Sequence, residues 1–301
     1  MSRQQRRTLD ETLQQAPHPD GPAPIEAMRA GFAALMGSFA VPTDVRRGPA
    51  TLAGRPAVVV EPEGAPAPGT ILYFHGGSFS LGSPDTAMPL TAQLVRRTGV
   101  RAISLDYRLA PEHPFPAAIE DGVAAYRALL DDGADPGSVV LAGDSAGGNL
   151  AVTTTLAARD AGLPVPAGIV AFSPALDHTR SGASMTTKEG LDPFFTRADM
   201  ERMGAVYLGD QDAAQPLAAP AVLADLTGFP PILLQVGTNE LLLDDAVRLA
   251  DRARDAGVDV VLDVTADVPH VFQAYAGTLD EADDALDRAA LFVTQRLRSP
   301  A

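Results

Sequence analysis

The chain has 301 residues, 46% of them apolar and 20% charged, enough to bury a sizeable core in one large or two ordinary domains. A formal net charge of −15 argues against nucleic acid, whose binding needs clustered Lys and Arg, and against anionic membrane surfaces. The absence of cysteine excludes a disulfide framework, a thiolate nucleophile and a Cys-ligated metal.

The N-terminus, MSRQQRRTLDETLQQ, carries positive charge with no apolar stretch behind it, so no secretory signal is expected. No apolar run approaches the roughly 18 residues of a membrane span. A soluble, cytoplasmic protein is therefore the expectation. A short helix is expected over 8–15, then a Pro-rich linker over 17–24 that contains His18. Ile25, Met28, Phe32, Leu35, Met36 and Phe39 recur at helical spacing, as a helix packed on the domain or roofing a pocket.

Strand patterns follow at 57–61 and 70–75, with the GAPAPG run over 64–69 as a hairpin-like loop between them. Further strands are expected at 100–105, 139–142, 168–172, 232–236 and 258–264. Helical patterns fall near 86–98, 116–131, 146–161, 244–256 and 280–297. Strands alternating with helices of this length predict an α/β fold with a mostly parallel sheet, and right-handed crossovers put helices on both faces. One interval breaks the rhythm. Residues 177–230 separate two strands and hold a helical pattern over 196–208 with Met200, Met203 and Tyr207, between turn signals at Leu191-Asp192-Pro193 and Ala219-Pro220. So long an excursion between core strands predicts a lid or binding subdomain.

The strand pattern at 139–142 runs into Gly143-Asp144-Ser145-Ala146-Gly147, a G-x-S-x-G pentapeptide followed by small residues that suit a helix. Such a strand-to-helix turn pushes the serine hydroxyl into the open, and a Cβ two residues to either side would clash. A serine nucleophile needs a base, an acid to orient the base, and an oxyanion hole, and on this scaffold the chain order is Ser, acid, His. His18, His75 and His113 precede Ser145, and His178 comes before any candidate acid strand. His270, in a loop between the last strand and the last helix, is left as the base. The acid should leave the end of the strand at 232–236. Glu240 lies in the loop beyond Gly237 and is favoured; Asp244 is the alternative, and Asp244 and Asp245 also suit a helix start. Oxyanion donors are expected from the N–H of Ala146 and from the Gly-rich run His75-Gly76-Gly77-Ser78 after the strand at 70–75. The acidic stretch over 280–287 has no metal-loop spacing and reads as a solvated helix face.

Three motifs carry a family resemblance: His75–Ser78, the run DYRLAPEHPFPA over 106–117, and Gly143–Gly147. In this order and spacing they resemble the hormone-sensitive-lipase-like (bacterial family IV) esterases, from about residue 55 to the C-terminus. The resemblance implies an α/β-hydrolase domain spanning 1–301, with a helical cap contributed by about 1–45 and 177–230. It implies Gly77, Ser78 and Ala146 as the oxyanion hole. Two departures stand out: Ser78 replaces the third glycine, and the usual D-P-L-x-D acid motif reads Glu240-Leu241-Leu242-Leu243-Asp244, with Glu at the acid position.

The expected function is a serine carboxylester hydrolase acting on short-chain acyl esters through Ser145, His270 and Glu240. A lactonase or an N-/O-deacetylase of a specialised metabolite is the alternative, and a non-catalytic ligand receptor a further one. Met28, Phe32, Phe39, Phe194, Met203 and Tyr207 are the expected pocket lining. No metal or cofactor is expected. The expected partner is a small-molecule ester, with a homodimer as the assembly considered and neither nucleic acid nor membrane.

Overall fold

The computed structural model describes residues 2–15 and 23–297. His18 and most of the Pro-rich linker lie outside them. Two helices open the described chain, α1 (Ser2–Gln14) and α2 (Ile25–Met36). The strands are β1 (Val45–Leu52), β2 (Arg55–Pro62), β3 (Ala67–Phe74), β4 (Val100–Leu105), β5 (Val139–Asp144), β6 (Gly168–Phe172), β7 (Ile232–Gly237) and β8 (Val260–Thr265). Between and after them come α3 (Met88–Thr98), α4 (Ala117–Asp131), α5 (Ala146–Asp160), α6 (Ser184–Thr187), α7 (Arg197–Leu208), α8 (Pro220–Leu223), α9 (Leu243–Asp255) and α10 (Asp280–Leu297).

The strands form one sheet in the order β1-β2-β4-β3-β5-β6-β7-β8. Every neighbour pair from β4 to β8 is parallel; β1–β2 and β2–β4 are antiparallel. The GAPAPG segment is therefore not a hairpin turn, since β3 lies beyond β4 and pairs with β4 and β5. The hairpin is β1–β2, and its first strand is an element the sequence patterns miss. VRRGPATL carries Arg46, Arg47 and Pro49, residues that only an edge strand tolerates.

Successive residues of the central strands feed opposite faces. Leu72, Phe74, Leu141, Ile169 and Leu234 pack with α4, α5 and α9. Ile71, Tyr73, Val140, Val170 and Leu233 pack with α3 and α10. Strands covered on both sides read as continuous apolar runs, and each fully buried aliphatic side chain contributes about 1.5–3 kcal/mol. This burial holds β3, β5 and β7 rigid, and the loops at their C-terminal ends converge on one crevice, as in open parallel sheets generally. Among the described residues no helix is long and apolar enough to cross a membrane.

Candidate active site

Ser145 sits between β5 and α5 with φ 55° and ψ −115°. A non-glycine residue at positive φ is strained and persists only where its surroundings dictate it. Here the surroundings are backbone. A Cβ on Gly147 would come within 3.0 Å of the carbonyl oxygens of Phe74 and His75, and one on Gly143 would meet the backbone of Gly147. The two glycines of the pentapeptide thus let α5 start hard against the end of β3. The N–H of Ser145 donates to the Phe172 carbonyl (2.8 Å). Ala146 opens α5, where first-turn N–H groups have no intrahelical acceptor.

The loop after β3 is also held in unusual geometry. Gly77, Ser78 and Phe79 have φ of 117°, 53° and 60°. The DYRLAPEHPFPA segment holds it there. Tyr107 donates its hydroxyl to the His75 carbonyl (2.8 Å), its ring stacks on the His75 imidazole at 4.1 Å, and Ala110 N–H donates to the Phe79 carbonyl. Arg108 in turn is fixed by both oxygens of the Asp121 carboxylate. Burial pushes the His75 imidazole down to about 4, so it is neutral at neutral pH. Ser78 in place of glycine keeps a backbone N–H while occupying a conformation that costs a side chain more.

His270 and Glu240 meet. Nδ1 of His270 lies 2.9 Å from Oε2 of Glu240, with Glu240 fully buried and His270 nearly so. The other carboxylate oxygen, Oε1, accepts from Ser173 Oγ (2.8 Å) and from the Gly237 N–H. Ser173 Oγ accepts in turn from Val271 N–H (3.0 Å), so one hydroxyl braces both acid and base loops. Val271 itself has φ 50°, an outlier for a β-branched residue. Burial lowers the His270 imidazole, but the hydrogen bond and charge of Glu240, with Asp192 and Asp144, outweigh it and leave the pKa above the ordinary histidine value. Asp244 faces elsewhere: its Oδ2 accepts from Ser184 N–H (2.9 Å). Asp245 is buried and accepts from the N–H groups of Leu176 and Asp177, so it anchors a loop besides standing in the first turn of α9.

Residues 71–274 match a family of the α/β-hydrolase fold. An acetyl-hydrolase of Streptomyces hygroscopicus is 46% identical over 224 residues, covering 74% of this chain and 75% of that protein. The crystal structure of a hormone-sensitive lipase from a metagenome library superimposes with a TM-score of 0.92 at 38% identity, covering 99% of this chain and 98% of that one. The esterase EstE5, solved after soaking in p-nitrophenyl butyrate, superimposes with a TM-score of 0.93 at 38% identity, covering 98% and 99%. The chain belongs to the hormone-sensitive-lipase-like esterases. It is a carboxylesterase of the α/β-hydrolase fold.

Among the described residues, a larger and a smaller cavity open on Ser145 of this esterase. The larger, about 440 Å³, is lined by Met28, Phe32, Phe39 and Phe194 together with Gly77, Ser78, Ser145 and His270. The smaller, a narrow space of about 20 Å³, is bordered by Ser78, Ser145, Ala146, Met203 and residues after β6. Tyr207 borders neither cavity. Its ring stacks on Phe79 at 3.7 Å, one layer behind the loop after β3, because its turn of α7 faces Phe115 and Phe79. Four features of the site have no sequence signal of their own. Ser173 follows a strand whose hydroxyl target lies 67 residues away. Asp192 sits in a turn and bonds the N–H of Leu241 across the excursion. Asp144 shares the pentapeptide with Ser145, accepts from Tyr73 Oη (2.8 Å), and is pushed up by burial to about 6. His178 borders the smaller cavity although chain order disqualifies it as the base. Among the described residues no group of three or more His, Cys, Asp or Glu side chains could hold a metal ion.

Proposed function

We propose that this esterase hydrolyses short-chain acyl esters through a Ser145–His270–Glu240 triad. The observation that carries the reading is the 2.9 Å contact of His270 Nδ1 with a fully buried Glu240 whose other oxygen is already occupied, on the same cavity wall as Ser145. A carboxylate bound at Nδ1 holds the proton there and leaves Nε2 basic, the tautomer a general base needs. Ser145 Oγ attacks the ester carbonyl while Nε2 takes its proton. The oxyanion rests on the N–H groups of Gly77, Ser78 and Ala146. Nε2 then protonates the departing alkoxide, and a water activated by the same nitrogen releases the acyl group. Every proton in this sequence is moved by His270.

The segments 1–45 and 177–230 act as a cap. α2 supplies Met28 and Phe32 to the larger cavity, and α7 supplies Met203 to the smaller. The departing alcohol must receive its proton from His270, which lines the larger cavity and not the smaller, so the acyl chain occupies the smaller. So narrow a space points to short acyl chains, the acetyl group above all, within an expected range of about C2–C6. The 46%-identical acetyl-hydrolase and the butyrate-soaked relative agree with it. Hydrolysis of p-nitrophenyl esters from acetate to palmitate tests it. Rates should peak at or below C6; a maximum at C12 or longer, or strong activation at an oil–water interface, contradicts it.

A further inference from the structure

Behind the mostly apolar lining of the smaller cavity stand two polar side chains that a site for acetyl or butanoyl groups does not need. His178 and Arg180, both in the loop after β6, border it with Ala175, Met203 and Gly204. Each is only 8% exposed. Among the described residues, Arg180 is a buried cation with no ion-pair partner. Its Nη1 and Nη2 reach only the carbonyls of Asp177 and Met200, at 3.4 and 3.3 Å, and Nη2 lies 3.3 Å from His178 Nδ1. Asp177, the adjacent carboxylate, is taken by Arg248 (3.0 Å), Thr179 and Ser181, and Asp245 is taken by two backbone N–H groups. Among the described residues no carboxylate sits within salt-bridge distance of Arg180; Asp245, Asp177 and Glu201 steady it only from further away. An unpaired buried charge is costly and is ordinarily matched by a counter-charge or a full set of acceptors.

The hydrogen bonds left over have one sign. Arg180 Nε is buried with no acceptor. Guanidinium can only donate, so Nδ1 of His178 is its acceptor and the ring proton sits on Nε2. That Nε2 is likewise buried with no partner. Burial and the neighbouring guanidinium push the His178 imidazole down to about 3, so at neutral pH it is neutral and keeps this tautomer. Two unmatched N–H donors and a positive charge that no carboxylate contacts directly thus lie buried at the border of the cavity assigned above to the acyl group.

We infer that His178 and Arg180 make the acyl pocket selective for short acyl groups ending in an oxygen acceptor, a carboxylate above all. The inference rests on the esterase mechanism proposed above and narrows its substrate class to hemiesters of short dicarboxylic acids and, less strongly, esters of short oxo acids. A site built to hydrogen-bond an acceptor discriminates against the analogue that lacks one far more strongly than an apolar pocket discriminates by size. The selectivity comes from donors that the apolar analogue leaves buried and unpaired.

Three benzyl esters of matched shape test this: monobenzyl succinate, benzyl 4-oxopentanoate and benzyl 4-methylpentanoate, with benzyl alcohol release as the readout. For the wild-type enzyme kcat/KM should fall in that order, the succinate exceeding the 4-methylpentanoate by about tenfold or more. Arg180→Met should bring that ratio to one or below, and Arg180→Lys, which keeps the charge, should retain part of the preference. The wild-type and Arg180→Lys ratios decide the matter if Arg180→Met does not fold. A wild-type ratio of one or less overturns the inference. So does a loss in Arg180→Met shared equally by all three esters, the mark of a merely structural arginine. Hydrolysis of p-nitrophenyl acetate runs alongside: activity there without selectivity removes only this inference, whereas no activity on any ester removes the mechanism beneath it.

Discussion

The catalytic edge and its roof meet at Ser145 and are built in opposite ways. The edge is held by backbone. Ser145, Ser78 and Val271 sit at positive φ, and Gly143 and Gly147 leave no room for a methyl group. Its polar groups are braced by hydroxyls and buried carboxylates, with Ser173 spanning Glu240 and Val271. The roof is held by side chains. α2 buries only Met36, has no side-chain cap, and leaves Leu35 43% exposed. Its firmest tie is Arg29, which grips both oxygens of Glu112 at 2.7 and 2.8 Å and also donates to the Ser80 and Ala110 carbonyls. Glu112 is half exposed, and such pairs contribute about 0.2–1 kcal/mol. On the mechanism proposed above, the contrast divides the enzyme in two: reaction chemistry would rest on over-determined backbone, and substrate choice on side chains of the roof.

That contrast can be broken most forcefully at the edge. Ser145→Ala and His270→Ala should each lower kcat/KM by about 10⁴ or more, and the double variant should lose little further, because the groups act as one unit. Losses that multiply in the double variant would separate the two residues. Next in size is the acid. Glu240→Gln should keep the fold and lower kcat by about 10²–10⁴, since Nδ1 loses the carboxylate that fixes its proton. Asp244→Asn should change turnover by only a few-fold, because an amide oxygen still accepts from Ser184 N–H. Collapse in Asp244→Asn with near-normal Glu240→Gln would reverse the assignment.

A smaller effect sharpens the electrostatics of the edge. His270 must be neutral to take the serine proton, so kcat/KM should be lost as pH falls through its pKa. That limb should lie above the ordinary histidine value of 6.5, because the charges of Glu240, Asp192 and Asp144 favour the imidazolium. In Glu240→Gln one of those charges is gone and the residual activity should show its limb at lower pH; an upward movement would mean another group sets it. Smallest of all is the roof. Arg29→Ala should raise KM by a few-fold and leave kcat nearly intact, measured on a short-chain p-nitrophenyl ester. A loss of kcat as large as that of Glu240→Gln would mean that α2 belongs to the edge after all.

The same division governs what could be read from the amino-acid order. β4 and β6 match their predicted spans residue for residue: β6, buried on both faces, is apolar throughout, and β4 is buried at every position except Arg101. β1 escapes detection because an edge strand can carry Arg46, Arg47 and Pro49. α1 runs over Ser2–Gln14, well before the predicted start at residue 8, since polar contacts such as Arg6 with Glu281 hold it and no apolar repeat marks them. In the site, Ser145, His270 and Glu240 lie in loops whose position follows from strand order, and the structure brings the last two together. Ser173, Asp192, His178 and Arg180 act through partners remote in sequence or through unmet hydrogen bonds, which no local pattern encodes. Met203 and Tyr207 share one helical stripe, yet only Met203 reaches a cavity, because helical spacing specifies a face and not the depth at which each side chain stops.

The central claim is that Ser145 carries the acyl group. Incubation of the full chain with a fluorophosphonate, followed by peptide mass analysis, addresses it directly. The account predicts a single phosphonyl adduct on the peptide containing Ser145, loss of esterase activity in step with labelling, and no adduct in Ser145→Ala. An unlabelled Ser145 in a preparation that still hydrolyses p-nitrophenyl acetate, or full inactivation through another residue, would contradict it.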